Sequence, residues 1–442
     1  MIKLPEQVNK AICLLKNRGF EAYAVGGAVR DCLLGKVPFD WDITTSARPE
    51  ETEKVFCGEQ IIETGIKHGT VTVIIDGMPL EITTYRIDGD YTDHRHPQTV
   101  SFSDNLRDDL SRRDFTINTL CCNCDDKIID VFGGKDDLKN KTIRCVGDPD
   151  TRFSEDALRI MRAVRFSAEL GFKIEKSTSD SILKNRQLLS DVSKERLQVE
   201  FTKLITGKYA TDVIRKYHAV IEVFIPELAP LAECEQHTKY HKYDVFEHTL
   251  HAVDAIDFND RILRLTMFFH DFGKPDAKTT DENGTSHFKG HAVISEKKTR
   301  DILKRLKFDN NTINEVSKLV LIHDMKSPRD KIQAKKMMCS LGDEAYLNLI
   351  KIKRADNMAK ADPHAIDEKL KNMRSFYEEI KASNECYNLK SLAVNGDDIK
   401  AIGIAEGKEI KSSLDFLLNG VIEGKCQNRK DVLLAYLKEN TK

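Results

Sequence analysis

The chain lacks an excess of either charge. Its 442 residues carry 69 Lys and Arg against 71 Asp and Glu, a formal net charge of −2, so no global field draws in a polyanion and any nucleic-acid surface has to be local. Long apolar runs are missing too, which excludes a membrane-spanning helix. The eleven cysteines fall at irregular spacings. No matching pairs stand at zinc-site distance, and Cys121, Cys122 and Cys124 read as strand packing. With no signal-like segment ahead of them, a reducing, cytoplasmic setting is expected. What the chain does have is length, more than one core can use, and two to four domains are expected. Residues 141–215, with fifteen Lys or Arg against eleven Asp or Glu, are the first place to look for an RNA surface.

Residues 25–45 organise the rest. An apolar strand ends at Val25, Gly26 and Gly27 allow a tight turn, and a short helix over 28–34 presents free N–H groups to a phosphate, with Arg30 beside them. After Gly35 and Pro38 come Asp40, Trp41 and Asp42. Alternation along a strand puts the two carboxylates on one face and Trp41 on the other. Paired acids repel unless a cation neutralises them, and oxygen ligands beside a phosphate point to Mg²⁺, in the arrangement of a two-metal site. Either piece alone also fits a plain turn or a solvated edge; the order of the two favours phosphate plus metal. With Gly-Gly-x-Val-Arg-Asp followed by Asp-x-Asp, this stretch resembles the class II tRNA nucleotidyltransferases, the CCA-adding enzymes and bacterial poly(A) polymerases.

Around it, strands are expected over 70–76 and 80–85, joined at Gly77, giving a small mixed sheet with helices on one side. Glu81 on the second strand is expected to face the metal site, because a lone buried carboxylate is costly; alternation alone leaves an outward, solvated Glu81 open. Residues 88–102 are polar and turn-rich, and resemble the loop that the family associates with the final A addition. The run Arg112, Arg113, Asp114 to Asn118 resembles the family's second motif. Arginine's planar fork suits a triphosphate, and Asp114 and Asn118, one helical turn apart, suit a ribose.

A long amphipathic helix is expected over 148–170. On it Asp156 and Arg159 stand three apart on one face. A carboxylate accepts from the exocyclic amine of cytosine or adenine, and a guanidinium donates to the adjacent ring nitrogen; guanine and uracil present the reverse pattern. This matches the family's Glu-Asp-x-x-Arg motif, which the resemblance identifies as an amino-acid template for CTP and ATP. A surface ion pair is the alternative. Residues 148–152 resemble the family's hinge motif and 195–200 its helix-stabilising fifth motif, while Arg162 and Arg165 line phosphates or solvate a helix flank.

Beyond residue 226 histidines gather. His248, the adjacent His270 and Asp271, His291, His323 and Asp356 fall on successive expected helices, and each is a metal-ligand type. Their spacing resembles the HD-superfamily phosphohydrolases, which implies His248, His270, Asp271 and Asp356 as core ligands, His291 and His323 as a second metal position or phosphate contacts, and a divalent transition metal, Mn, Ni, Co or Fe. Near the end, Gly403, Gly407 and Lys408 either bind RNA backbone or belong to a helix hairpin that only packs.

The expected architecture is α+β: a polymerase-β-like nucleotidyltransferase head over 1–140, a helical neck over 141–220, an HD body over 221–365 and a helical, tRNA-binding tail over 366–442. The expected activity is template-independent addition of C, C and A to tRNA, with tRNA, CTP and ATP as partners, no DNA or membrane, and a monomer or homodimer. A poly(A) polymerase, an HD phosphohydrolase with a decayed head, and a non-catalytic tRNA-binding module are the competing readings.

Overall fold

The computed structural model describes residues 2–62, 69–89, 99–238, 240–404 and 407–440. Two compact units emerge, Met1–Ala229 with Arg305–Lys307, and Pro230–Lys304 with Phe308–Lys442. Among the described residues no helix is long and apolar enough to cross a membrane.

The first unit is built on a seven-stranded mixed sheet. Its strands are β1 (Ala22–Val25), β2 (Asp42–Thr45), β3 (Gln60–Ile62), β4 (Thr70–Ile75), β5 (Met78–Thr84), β8 (Cys121–Cys122) and β9 (Ile128–Ile129), in the order β3-β4-β5-β2-β1-β8-β9. A separate two-stranded ribbon pairs β6 (Arg86–Asp88) with β7 (Val100–Phe102), at the base of the loop linked by resemblance to A addition; residues 90–98 of that loop lie outside the described residues.

Local chemistry accounts for these elements. β4 is β-branched throughout and β5 ends in Ile82, Thr83 and Thr84, and Asp76 and Gly77, both at positive φ, close the two-residue turn between them. Apolar side chains of the sheet, Val25, Ile43, Val71, Val73, Leu80 and Ile82, are buried; on the opposite face β5 exposes Glu81 and β2 exposes Asp42, while Thr44 stays buried. β2 begins at Asp42, which leaves Asp40 in the lead-in segment rather than in the strand, and Trp41 is buried.

The helix expected over 148–170 is two helices, Pro149–Glu155 and Leu158–Leu170. Asp156 breaks it, at φ −133° and ψ 101°. Its carboxylate accepts from the Leu158 N–H at 3.1 Å and from Arg196 at 2.9 Å, a local bond that competes with the helix ladder. Asp156 therefore stands at a joint and not one turn from Arg159 on a shared face.

The second unit is almost wholly helical. Val245–Asp254, Arg261–Phe269, His291–Arg305, Asn310–Ile322 and Asp343–Met358 are its principal helices, and aspartates cap several of their N-termini, Asp244 and Asp309 among them. Its last helices, Lys408–Ile422 and Lys430–Asn440, bury Leu417, Leu418, Leu433 and Leu437 in a core of their own. Of the Gly403 to Lys408 turn, Ala405 and Glu406 lie outside the described residues.

Candidate functional site

Strand register assembles the first candidate site. β2 and β5 run parallel with Asp42 opposite Glu81. In-register neighbours share a face, so Glu81 stands beside Asp42 on the exposed side, with Asp40 two residues upstream. Asp42 keeps solvent access, yet loss of hydration together with the negative charges of Glu81 and Asp40 pushes its carboxyl up to about 6, against the pull of Arg113. A carboxyl that resists ionisation in this way is one that a cation relieves, and oxygen-only donors suit Mg²⁺.

The glycine turn closes one side of the cluster. Gly26 has φ +83°, and a Cβ there would lie 3.2 Å from Arg113 Nη1 and 3.8 Å from Asp42 Oδ2. Only glycine leaves that space for a ligand without backbone strain. Arg30 is buried instead of facing outward: it donates to Asp31 at 2.9 Å and to Asn118 at 2.8 Å, and its guanidinium lies over the Phe166 ring.

Asn118 continues that chain by donating to Asp114 at 3.0 Å, and Arg162 closes it with two bonds to Asp114 at 2.8 and 2.6 Å. Burial opposes ionisation of Asp114, but Arg162 and Asn118 outweigh it and hold the carboxyl at about 2. Arg165 is likewise engaged, 2.6 Å from Glu200 and 2.9 Å from Glu169, so neither arginine simply solvates the helix flank. Arg159 donates to Glu155 at 2.7 Å and to the carbonyls of Arg152 at 3.1 Å and Arg112 at 2.8 Å.

One residue of this site escaped the sequence reading. Asp109 is fully buried, accepting from Arg112 at 2.7 and 3.1 Å, from Thr44 at 3.0 Å and from Arg113 at 3.5 Å. Its signal in the sequence was spacing alone: arginines three and four residues after an acid on a short helix.

The second candidate site is a buried histidine cluster in the other unit. His270 and His323 stand where helices end, His291 where one begins, and His248 and Asp356 lie within Val245–Asp254 and Asp343–Met358. The Nδ1 atoms of His248, His270, His291 and His323 sit 3.2, 2.6, 2.8 and 2.6 Å from backbone carbonyls. A carbonyl only accepts, so each Nδ1 carries a proton, and in the neutral ring each Nε2 offers a lone pair.

Those lone pairs converge. His270 Nε2 is 3.4 Å from His248 Nε2, and His291 Nε2 is 3.1 Å from His323 Nε2. Asp271 lies between the pairs, with Oδ2 3.1 Å from His270 and 3.3 Å from His248, and Oδ1 3.4 Å from His291. Burial drives His323 down to about 3 and lowers His248, keeping both neutral. Facing lone pairs at such distances repel unless a cation stands between them. Two groups meet the requirement for a metal, His248 with His270 and Asp271, and Asp271 with His291 and His323. Asp356 adds a carboxylate 3.0 Å from His248, and Lys274 and Lys360 hold Asp271 and Asp356 at 2.7 and 2.6 Å. A divalent metal with imidazole and carboxylate ligands fits this donor set.

Comparison with known proteins adds the following. Family models match three stretches: the poly A polymerase head domain over residues 22–144, the probable RNA and SrmB-binding site of polymerase A over 171–231, and tRNA nucleotidyltransferase domain 2 over 279–437. The chain is similar to the CCA-adding enzyme of Geobacillus kaustophilus, 34% identical over 99% of this chain and 97% of the relative. It is 33% identical to that of Lactobacillus helveticus over 99% and 98%. The crystal structure of the Bacillus stearothermophilus CCA-adding enzyme in complex with CTP superposes with a TM-score of 0.72 at 30% identity, covering 98% of this chain and 96% of that one.

Proposed function

The chain belongs to the CCA-adding tRNA nucleotidyltransferases, and from that premise we propose that Asp40, Asp42 and Glu81 hold Mg²⁺ while the tRNA 3′-OH, giving up its proton, attacks the α-phosphate of CTP or ATP, the bond between the α- and β-phosphates breaks and pyrophosphate leaves. The observation that carries this reading is the register of β2 and β5, with Glu81 beside Asp42 and Arg113 at the Gly26 turn. Two Mg²⁺ bound there supply charge stabilisation for the attacking and leaving oxygens. Arg113 and the Gly26-Gly27 backbone bind the triphosphate. Asp114 and Asn118, already locked together with Arg30 and Arg162, fix the floor on which the ribose rests.

Asp156 and Arg159 read the base. Their present partners, Arg196 on one side and Glu155 with two carbonyls on the other, set the direction in which each points, and a cytosine or adenine edge engages the remaining acceptor and donor positions. Incubating the protein and Mg²⁺ with tRNA lacking its 3′ end, with CTP, ATP or both, tests the proposal at single-nucleotide resolution. Addition of C, C and A that then stops is the expected result. A long A ladder would make the product that of a poly(A) polymerase.

The converging Nε2 atoms favour a second reading for the other unit, a metal-dependent phosphohydrolase. Metal supplies an activated water when bound, and Lys274 and Lys360 pair with Asp271 and Asp356. Phosphate release from 3′-phosphorylated or 2′,3′-cyclic RNA ends with Mn²⁺, Ni²⁺, Co²⁺ or Fe²⁺ is the test; a unit that binds metal without turnover would be a scaffold.

A further inference from the structure

We infer that Asp109 is a positioning residue that tethers Arg113 away from the acid cluster, so that the guanidinium serves the nucleotide and leaves Asp40, Asp42 and Glu81 to the divalent cation; the inference rests on the reading of those acids as metal ligands.

The problem it solves is competition. Arg113 Nη1 and Asp42 Oδ2 lie within 4 Å of the same point above Gly26. A guanidinium is always charged and forks onto carboxylates, so beside three acids it is itself a candidate counter-ion for the place a metal must take. Yet Arg113 pairs with Asp109 and not with Asp42.

Asp109 is built to hold it there. Taking a carboxylate out of water costs several kcal/mol unless it is well paired, and Asp109, wholly buried, meets three donors. Arg112 occupies Oδ1 with two bonds, while Thr44 and Arg113 share Oδ2. Thr44 is two residues beyond Asp42 on β2, hence on the same face. The anchor for Arg113 is thus bonded to the strand that carries the metal ligand, which fixes the separation between them. One carboxylate also brings together two consecutive arginines that would otherwise diverge.

The test is direct Mn²⁺ binding by electron paramagnetic resonance, in a His270→Ala/His323→Ala background so that only the first unit titrates. Asp109→Asn is expected to weaken Mn²⁺ binding about tenfold, the effect of one guanidinium–carboxylate contact, and to raise the Mg²⁺ needed for C addition in parallel. Arg113→Met should bind Mn²⁺ at least as tightly as the parent, and adding Asp109→Asn to it should change nothing further. Thr44→Val, which removes only the anchoring hydrogen bond, should shift binding in the same direction by less, and it serves if Asp109→Asn does not fold. Unchanged Mn²⁺ binding in Asp109→Asn, or equal weakening with and without Arg113, would overturn the inference. Asp42→Ala separates the two levels: if it leaves Mn²⁺ binding intact, the assignment of the acids fails, and not the role of Asp109 alone.

Discussion

The two candidate metal centres are opposite solutions to holding charge. In the first unit the acids come from strand register and stand at a solvent-accessible face, where Glu81 and Asp40 repel Asp42 and Arg113 only partly offsets them. In the second unit the ligands come from helix interiors and helix ends, and the four histidines are buried with their Nδ1 protons committed to backbone carbonyls. An open acid cluster suits ions that arrive with a nucleotide and exchange with each turnover. A closed imidazole cluster suits a resident metal. By the same difference, oxygen donors suit Mg²⁺ and imidazole donors suit a transition metal.

The comparison can be broken most severely at Asp42. Asp42→Ala is expected to lower C addition by about a thousandfold or more, the scale of losing a principal electrostatic group, while metal content of the second unit is unchanged. Loss of both would mean the centres are not independent. His270→Ala should do the reverse, abolishing tight metal retention, read by elemental analysis after gel filtration, with C addition within about twofold of the parent.

Chelation sharpens the contrast in time. After brief EDTA treatment, dilution into Mg²⁺ should restore C addition at once, whereas metal of the second unit should leave only over a much longer incubation, because its four imidazoles are buried. Equal loss rates would contradict the distinction.

Smaller effects probe the rigid floor of the first site. Gly26→Ala combines a positive φ with a contact 3.2 Å from Arg113, and should cost about 1–2 kcal/mol in denaturant unfolding and raise KM for CTP more than it lowers kcat. Asp114 is held by Arg162 and Asn118. Its folded pKa of about 2 lies below the unfolded value of 3.8, so it stabilises the fold above pH 4 and the contribution fades as pH falls from 4 to 2. Asp114→Asn should therefore cost about 2 kcal/mol at pH 7 and progressively less below pH 4.

Much of this was readable in the sequence because the physics is local. The β4–β5 hairpin follows from runs of β-branched residues on either side of an Asp-Gly turn, and the acid pair and histidine series announce themselves by residue type. What escaped was decided by tertiary partners. Asp156 sits in an amphipathic run that reads as one helix, and only Arg196, forty residues on, together with the cap on Leu158, breaks it. Asp109 reads as one more acid on a surface helix, and only its burial beneath Thr44 and two arginines distinguishes it from Asp108. Arg30 reads as a phosphate ligand from its place after the glycines, while its partner Asn118 lies 88 residues away.

The histidine cluster has one consequence for how the molecule is made. His248 and Asp356 meet across 108 residues, and the other ligands are spread over the helices between, so no fragment of the unit can offer the full donor set before its long-range contacts have formed. Nascent helices form fast, and distant contacts come late because closing long loops is slow. Uptake of a coloured ion such as Co²⁺ during refolding would therefore time the final assembly of this unit, and an ion bound only by the assembled form would act as a latch on the completed fold.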